Sequence, residues 1–214
     1  MNSYLRKTLV MLPALPILGT GASFFLIAGQ GTDPFTSFQQ GISLRTGLSV
    51  GTASLLMNIL ILVFFFFYKR KLIGLGAIIC TFGIGPCIDL SSSILHQLFP
   101  GPQPPYMIVL FMVAGLIFKV VGLSYYLPVG AGIQPLDMVA TELGHLVKKS
   151  YGVGLTIFYL ILLLGAFLLG APIGIGTIIA AVLVGKLVDW FSPLIGRFSS
   201  RLAGNTPPDS TARA

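Results

Sequence analysis

Five side chains in this sequence could hold a small solute or a coupling ion: Asp33, Asn58, Lys119, Gln134 and Asp137. Asp33 precedes Pro34 and Gln134 precedes Pro135, the order expected of an N-cap residue followed by proline at the first helical position. Each pair would open a short helix whose free N–H groups and dipole favour an anionic group. The carboxylates of Asp33 and Asp137 could instead bind a proton, a cation or an ammonium group. Lys119 sits 13 residues into an apolar run that begins at Tyr106. A lysine at that depth is a transport residue, a partner of Asp89, Asp137 or Glu142, or a side chain that snorkels to an interface. Ser54 and Asn58 are four residues apart and share a helix face, where an amide bonds to a neighbouring helix or to a solute.

Other chemistry lacks its residues. There is no His and Cys set at metal-ligand spacing and no nucleophile beside a base. Gly185 and Lys186 lack the preceding glycine and the following Ser or Thr of a phosphate loop. The expectation is therefore a chain that is not an enzyme and carries no cofactor. Cys80 and Cys87 are seven residues apart in one run, about 10 Å along a helix, too far for a disulfide within it. His96 reads as an interfacial residue, and Phe64 to Tyr68, Tyr125 and Tyr126 as aromatic belts facing lipid or headgroups.

The elements that must position these residues follow from composition. Of 214 residues, 55% are hydrophobic and 9% charged, against roughly 25% charged in a soluble domain. That excludes a soluble enzyme or a nucleic-acid reader, and the net charge of +7 reads as topology because the basic residues cluster between apolar runs. Six runs are long enough to cross a bilayer: Thr8 to Ala28, Leu48 to Tyr68, Leu72 to Leu98, Tyr106 to Val129, Tyr151 to Leu169 and Ala171 to Ile195. The first resembles a signal peptide at its start but continues past the small residues near Gly19, so it is read as part of the fold. With both termini cytoplasmic, Arg6, Lys7, Lys69, Arg70, Lys71, Lys148, Lys149, Lys186, Arg197, Arg201 and Arg213 lie on the inner side and Arg45 alone outside. Residues 33–46 and 134–149 are too polar and too short to cross, and are read as helices that either re-enter the membrane or lie at its interface.

An internal repeat organises these elements. Residues 73–92 align without a gap on 173–192 at an offset of 100, matching Ile73, Gly74, Gly76, Gly85, Asp89 and Ser92 with Ile173, Gly174, Gly176, Gly185, Asp189 and Ser192. A second block, at an offset of 101, pairs Gly21, Ser23, Gly31 and Pro34 with Gly122, Ser124, Gly132 and Pro135. Each half contains three crossings and one short helix, and an odd number of crossings inverts the second copy. Gly85 and Gly185 belong to stripes of small residues spaced by four, continued by Asp89 and Asp189. These are expected to pack helices three and six, the aspartates capping or bridging the packed face; Asp189 could equally pair with Lys186.

The Gly-rich turns GQGTDPFTSF and GAGIQPLDMV, the phrase TGLSVGTASLLMNI and the third run KLIGLGAIICTFGIGPCIDL resemble the YczE/YyaS/YitT group of bacterial integral membrane proteins up to about Arg197. The resemblance implies a small permease-like protein of the bacterial inner membrane and assigns no site residues. The change from Asp33 to Gln134 argues against identical groups binding in the two halves.

The expected fold class is thus all-α and polytopic, with six transmembrane helices and two short re-entrant or interfacial helices in two inverted repeats. The first covers residues 1–100, the second residues 101–198, and residues 199–214 form a disordered cytoplasmic tail. The expected function is a small-solute secondary transporter with a proton or cation as coupling species. Its partners would be the lipid bilayer, the solute and, in a homo-oligomer, further copies of the chain, but no nucleic acid. The alternatives are an accessory or regulatory membrane protein and a substrate-capturing subunit of a larger complex.

Overall fold

The computed structural model describes residues 3–130, 132, 134–149 and 151–205, with the backbone alone at residues 3–5, 71, 151–152, 185 and 189. The described residues are helical without any strand. In order they form α1 (Ser3–Met11), α2 (Ala14–Ala28), α3 (Pro34–Thr46), α4 (Val50–Lys69), α5 (Leu75–Leu98), α6 (Pro105–Tyr126), α7 (Pro135–Leu146), α8 (Tyr151–Leu168) and α9 (Ile175–Ala203), with single 3₁₀ turns after α4 and α6. Both short helices fall where the proline signals put them.

Four stretches are long and apolar enough to cross a membrane: Arg6–Ala28, Val50–Lys69, Leu75–Leu98 and Pro105–Val129. A fifth is reached when Ile175–Val188 and Trp190–Ala203, bent by 57°, are taken as one span. This differs from six uniform crossings, for identifiable reasons. Pro13 breaks the first stretch into α1 and α2, because proline has no N–H to donate. The 18 residues of α8 rise about 27 Å, short of the roughly 30 Å hydrocarbon core. The last helix begins after Pro172 and bends at residue 189. Pro193 lies four residues beyond, where its ring meets the carbonyl of that residue.

α9 also runs past residue 198, where the tail was expected to begin. Ser199 and Ser200 are buried, and the helix end is held by the first helix: Arg6 Nε donates to the Leu202 carbonyl at 2.6 Å. A guanidinium against terminal carbonyls also complements the negative end of the helix dipole. Residues 206–214 of the expected tail lie outside the described residues.

The bundle has the polarity of a protein dissolved in lipid. Large apolar side chains cover its exterior, among them Leu60 (72% exposed), Phe67 (83%) and Trp190 (75%). Its interior buries Ser23, Thr32, Ser37, Gln39, Ser54, Asn58 and Thr81. Without water to drive apolar surfaces together, helices associate by close backbone approach and by polar contacts. Both are present. Gly51 of α4 faces the Gly85 carbonyl of α5 so closely that no Cβ would fit at either position. Ser23 of α2 donates to the Ile88 carbonyl of α5 at 3.0 Å.

At the centre α2 packs on α6, with α5 against α2 and α9 against α6. Contacts recur between the halves. Gly21 of α2 lies against the Lys119 side chain of α6, and Gly122 of α6 lies against the Leu18 side chain of α2. Likewise Gly31 abuts Gly174 and Thr177 at the start of α9, while Gly132 abuts Gly76 and Ala77 at the start of α5.

Candidate functional site

The site begins with the turn before α3. Gly31 presses against the backbone of Gly174 and Gly176 N–H donates to the Gln30 carbonyl at 2.8 Å, which holds the chain inside the bundle rather than at its surface. Thr32 and Pro34 are then fully buried. Asp33 caps the helix as its sequence position predicts: one carboxylate oxygen accepts from Thr36 N–H at 3.2 Å. The other oxygen is bound by Lys119 Nζ of α6 and lies 3.3 Å from the Thr32 hydroxyl. Asp33 and Lys119 form an ion pair in which the side chains keep only 14% and 12% of their exposure. One member comes from each half of the chain.

Lys119 therefore pairs with none of the three acids considered for it. Asp89 instead clamps the start of α4, accepting from Ser49 Oγ at 2.5 Å and from Gly51 N–H at 2.7 Å. A carboxylate at a helix N-terminus satisfies free N–H groups and opposes the positive end of the dipole. Glu142 on α7 receives Lys69 of α4, with both carboxylate oxygens at 2.7 and 2.9 Å. Asp137, in the first turn of α7, lines a cavity of about 270 Å³ with Tyr126, Leu127, Gly130 and Gly132.

Tyr126 corrects the reading of the inner aromatic residues as a lipid-facing belt. It is 3% exposed, and its hydroxyl donates to the Gly132 carbonyl at 2.8 Å. It lines the same cavity as Asp137. The sequence carried the signal: Tyr126 follows Lys119 by seven residues, two helical turns on the same face. Phe65 is likewise buried, whereas Phe64, Phe66, Phe67 and Tyr68 face outward. Phe66, Phe67 and Tyr68 border a groove of about 670 Å³ at the end of α4, and none of the five candidate site residues lines it.

The remaining candidates are placed as follows. Asn58 is buried and donates to Ser54 Oγ of its own helix at 3.4 Å, so that face of α4 points inward. Gln134 precedes α7 without capping it, and its Nε2 is buried without a hydrogen-bond partner. Gly185 and Asp189 are described by their backbone alone. The five expected site residues thus form no single cluster. Asp33 and Lys119 are one pair, Gln134 and Asp137 open α7 beside Tyr126, and Asn58 stays with Ser54. What joins them is apolar: Phe35 of α3 and Met138 of α7 pack in one cluster with Ile61 and Phe65 of α4 and Ala77 of α5. The first turns of the two short helices thereby share a core. Among the described residues, no group of three His, Cys, Asp or Glu comes close enough to hold a metal ion.

An all-helical bundle with an apolar exterior, several helices long enough to span a bilayer and an ion pair held inside is a membrane protein. Residues 5–193 match DUF6198, a family of unknown function. The chain is 27% identical over 188 residues to an uncharacterised protein of Haemophilus influenzae, covering 88% of this chain and 84% of that one. It is 29% identical over 181 residues to the uncharacterised protein YyaS of Bacillus subtilis, covering 85% and 90%. It is 30% identical over 188 residues to the uncharacterised membrane protein YczE of the same organism, covering 84% and 82%. The chain belongs to this YczE/YyaS family of membrane proteins. No solved structure matches it.

Proposed function

We propose that the protein is a small-solute secondary transporter of the bacterial inner membrane, built as two inverted repeats of three crossings and one re-entrant helix, with both termini cytoplasmic. The observation that carries this reading is the Asp33–Lys119 pair, an ionic contact deep in the bundle made by one residue from each half. Charges inside a membrane are costly and are retained where a solute or ion must pass. Inverted halves allow a site between them to open to either face by exchanging their conformations. The recurring contacts support that exchange: Gly21 with Lys119 and Gly122 with Leu18, then Gly31 with Gly174 and Gly132 with Gly76.

Lys119 and Asp33 are the groups that contact solute or coupling ion, and Asp137 with Tyr126 lines its route beside α7. Purified protein in liposomes should take up a solute from a broad panel, and Asp137→Asn should reduce that uptake while the protein stays folded. No flux for any solute, together with recovery of a partner on pull-down, would leave an accessory or substrate-capturing subunit as the reading.

A further inference from the structure

The two repeat-related positions differ in a correlated way. Asp33 corresponds to Gln134 at the 101-residue offset, and Lys119 corresponds in the same way to Leu18. Lys119 lies against Gly21 and Leu18 against Gly122, so the correspondence holds in space as well as in sequence. Where the carboxylate is replaced by an amide, the ammonium is replaced by a hydrocarbon, so the two members of the pair are present together in one copy and absent together from the other. In a medium of low dielectric constant an ion pair cannot be opened by moving one member away, because each charge would be left uncompensated. Each must receive an opposite charge as the other leaves. The groups that face Asp33 are Lys119 Nζ, the Thr32 hydroxyl and Thr36 N–H, so only the lysine can be exchanged for an incoming positive charge.

We propose that the Asp33–Lys119 pair selects cargo that crosses with zero net charge. The cargo is a small carboxylate whose negative group replaces Asp33 on Lys119. Its balancing positive charge replaces Lys119 on Asp33, and is either an ammonium of the same molecule or an accompanying proton added to an Asp33 carboxylate oxygen. This inference rests on the transporter reading and goes beyond it by fixing the charge carried per cycle.

The test uses the full chain reconstituted in liposomes, with potassium diffusion potentials set by valinomycin. Labelled L-alanine probes the zwitterion arm and labelled L-lactate the anion-plus-proton arm; choline and glucose represent cargo with a fixed charge and with none. One net charge per cycle would change the accumulation ratio roughly 50-fold per 100 mV. The expected result is uptake of alanine or lactate that does not respond to the potential, and its loss in the double variant Asp33→Gln/Lys119→Leu, whose thermal unfolding in detergent stays close to the parent protein's. Uptake that scales with the potential, uptake of choline, or transport by the double variant at the parent rate would overturn the inference and leave the transporter reading standing. Absence of flux for every solute would overturn both.

Discussion

The turns that open α3 and α7 are built alike and loaded differently. Both bring a glycine against the start of another helix, Gly31 on Gly174 and Gly132 on Gly76, and both bury the proline that follows, Pro34 and Pro135. Between glycine and proline the first copy places a carboxylate with its lysine, whereas the second places an amide, with a leucine at the position related to that lysine. Backbone packing therefore accounts for the common architecture, and the lysine–carboxylate pair is a property of one copy only. The comparison teaches that the pair is dispensable for building the turn, since the second turn is built without it.

Converting each copy into the other breaks the comparison most severely when done by halves. Lys119→Leu alone leaves Asp33 uncompensated, and Leu18→Lys alone places an ammonium beside Gly122 without the carboxylate that the paired exchange adds. Each should cost about 3–5 kcal/mol, read as early thermal unfolding in detergent. The paired exchanges Asp33→Gln/Lys119→Leu and Leu18→Lys/Gln134→Asp should each recover most of that loss. If Lys119→Leu unfolds no earlier than its paired variant, the two charges do not act as a unit.

Gly31→Ala and Gly132→Ala sharpen the packing side of the comparison. A Cβ at Gly31 would stand 2.8 Å from Gly174 N, but at Gly132 the nearest atom, Gly76 N, is 3.2 Å away. Both positions also have positive φ, 83° and 140°, which strains any side chain, so Gly31→Ala should cost about 3 kcal/mol and Gly132→Ala about 2 kcal/mol by the same melting assay; a larger loss at Gly132 would mean that backbone strain outweighs the tighter packing at Gly31. Asp89→Asn removes a charged cap from α4 and should cost about 1 kcal/mol, without altering any solute uptake. Smallest of all, Lys69→Met should change the melting temperature little, because Lys69 is 45% exposed and exposed ion pairs contribute little.

Much of this plan was legible as text, and the failures have a common origin. The Asp33 N-cap of α3 and the prolines that open α3 and α7 are local signals, and local signals survive folding. Gly85 and Asp89 were readable because a stripe spaced by four marks one helix face whatever that face meets. Lys119 was recognised as an ionisable group at depth, but its partner lies 86 residues away in the chain, beyond a turn whose path no pattern specifies. The acids weighed for it are engaged elsewhere: Asp89 with Ser49 and Gly51, Glu142 with Lys69, and Asp137 beside Tyr126. Tyr126 was assigned to a lipid-facing belt by its place near the end of a run. Helix phase relative to Lys119 was the better guide. The bend in α9 does not show in hydropathy although Pro193 announces it, because hydropathy counts residues without regard to which carbonyl loses its donor.

The clamp on α4 has a mechanical consequence. With Gly51 seated on Gly85 and Asp89 gripping Ser49 and Gly51, α4 and α5 form one stiff body. α3 is attached differently. It joins the frame through Gly29 (φ 66°) and Gly47 (φ 73°), each in the left-handed region and each with open space around it. Such residues turn at little steric cost. The first half of the chain is thus a rigid frame joined at two hinges to a short helix that packs on α8 of the second half, and a shift of that helix with α8 would separate Asp33 from Lys119, once cargo charges replace each partner, without loosening the frame.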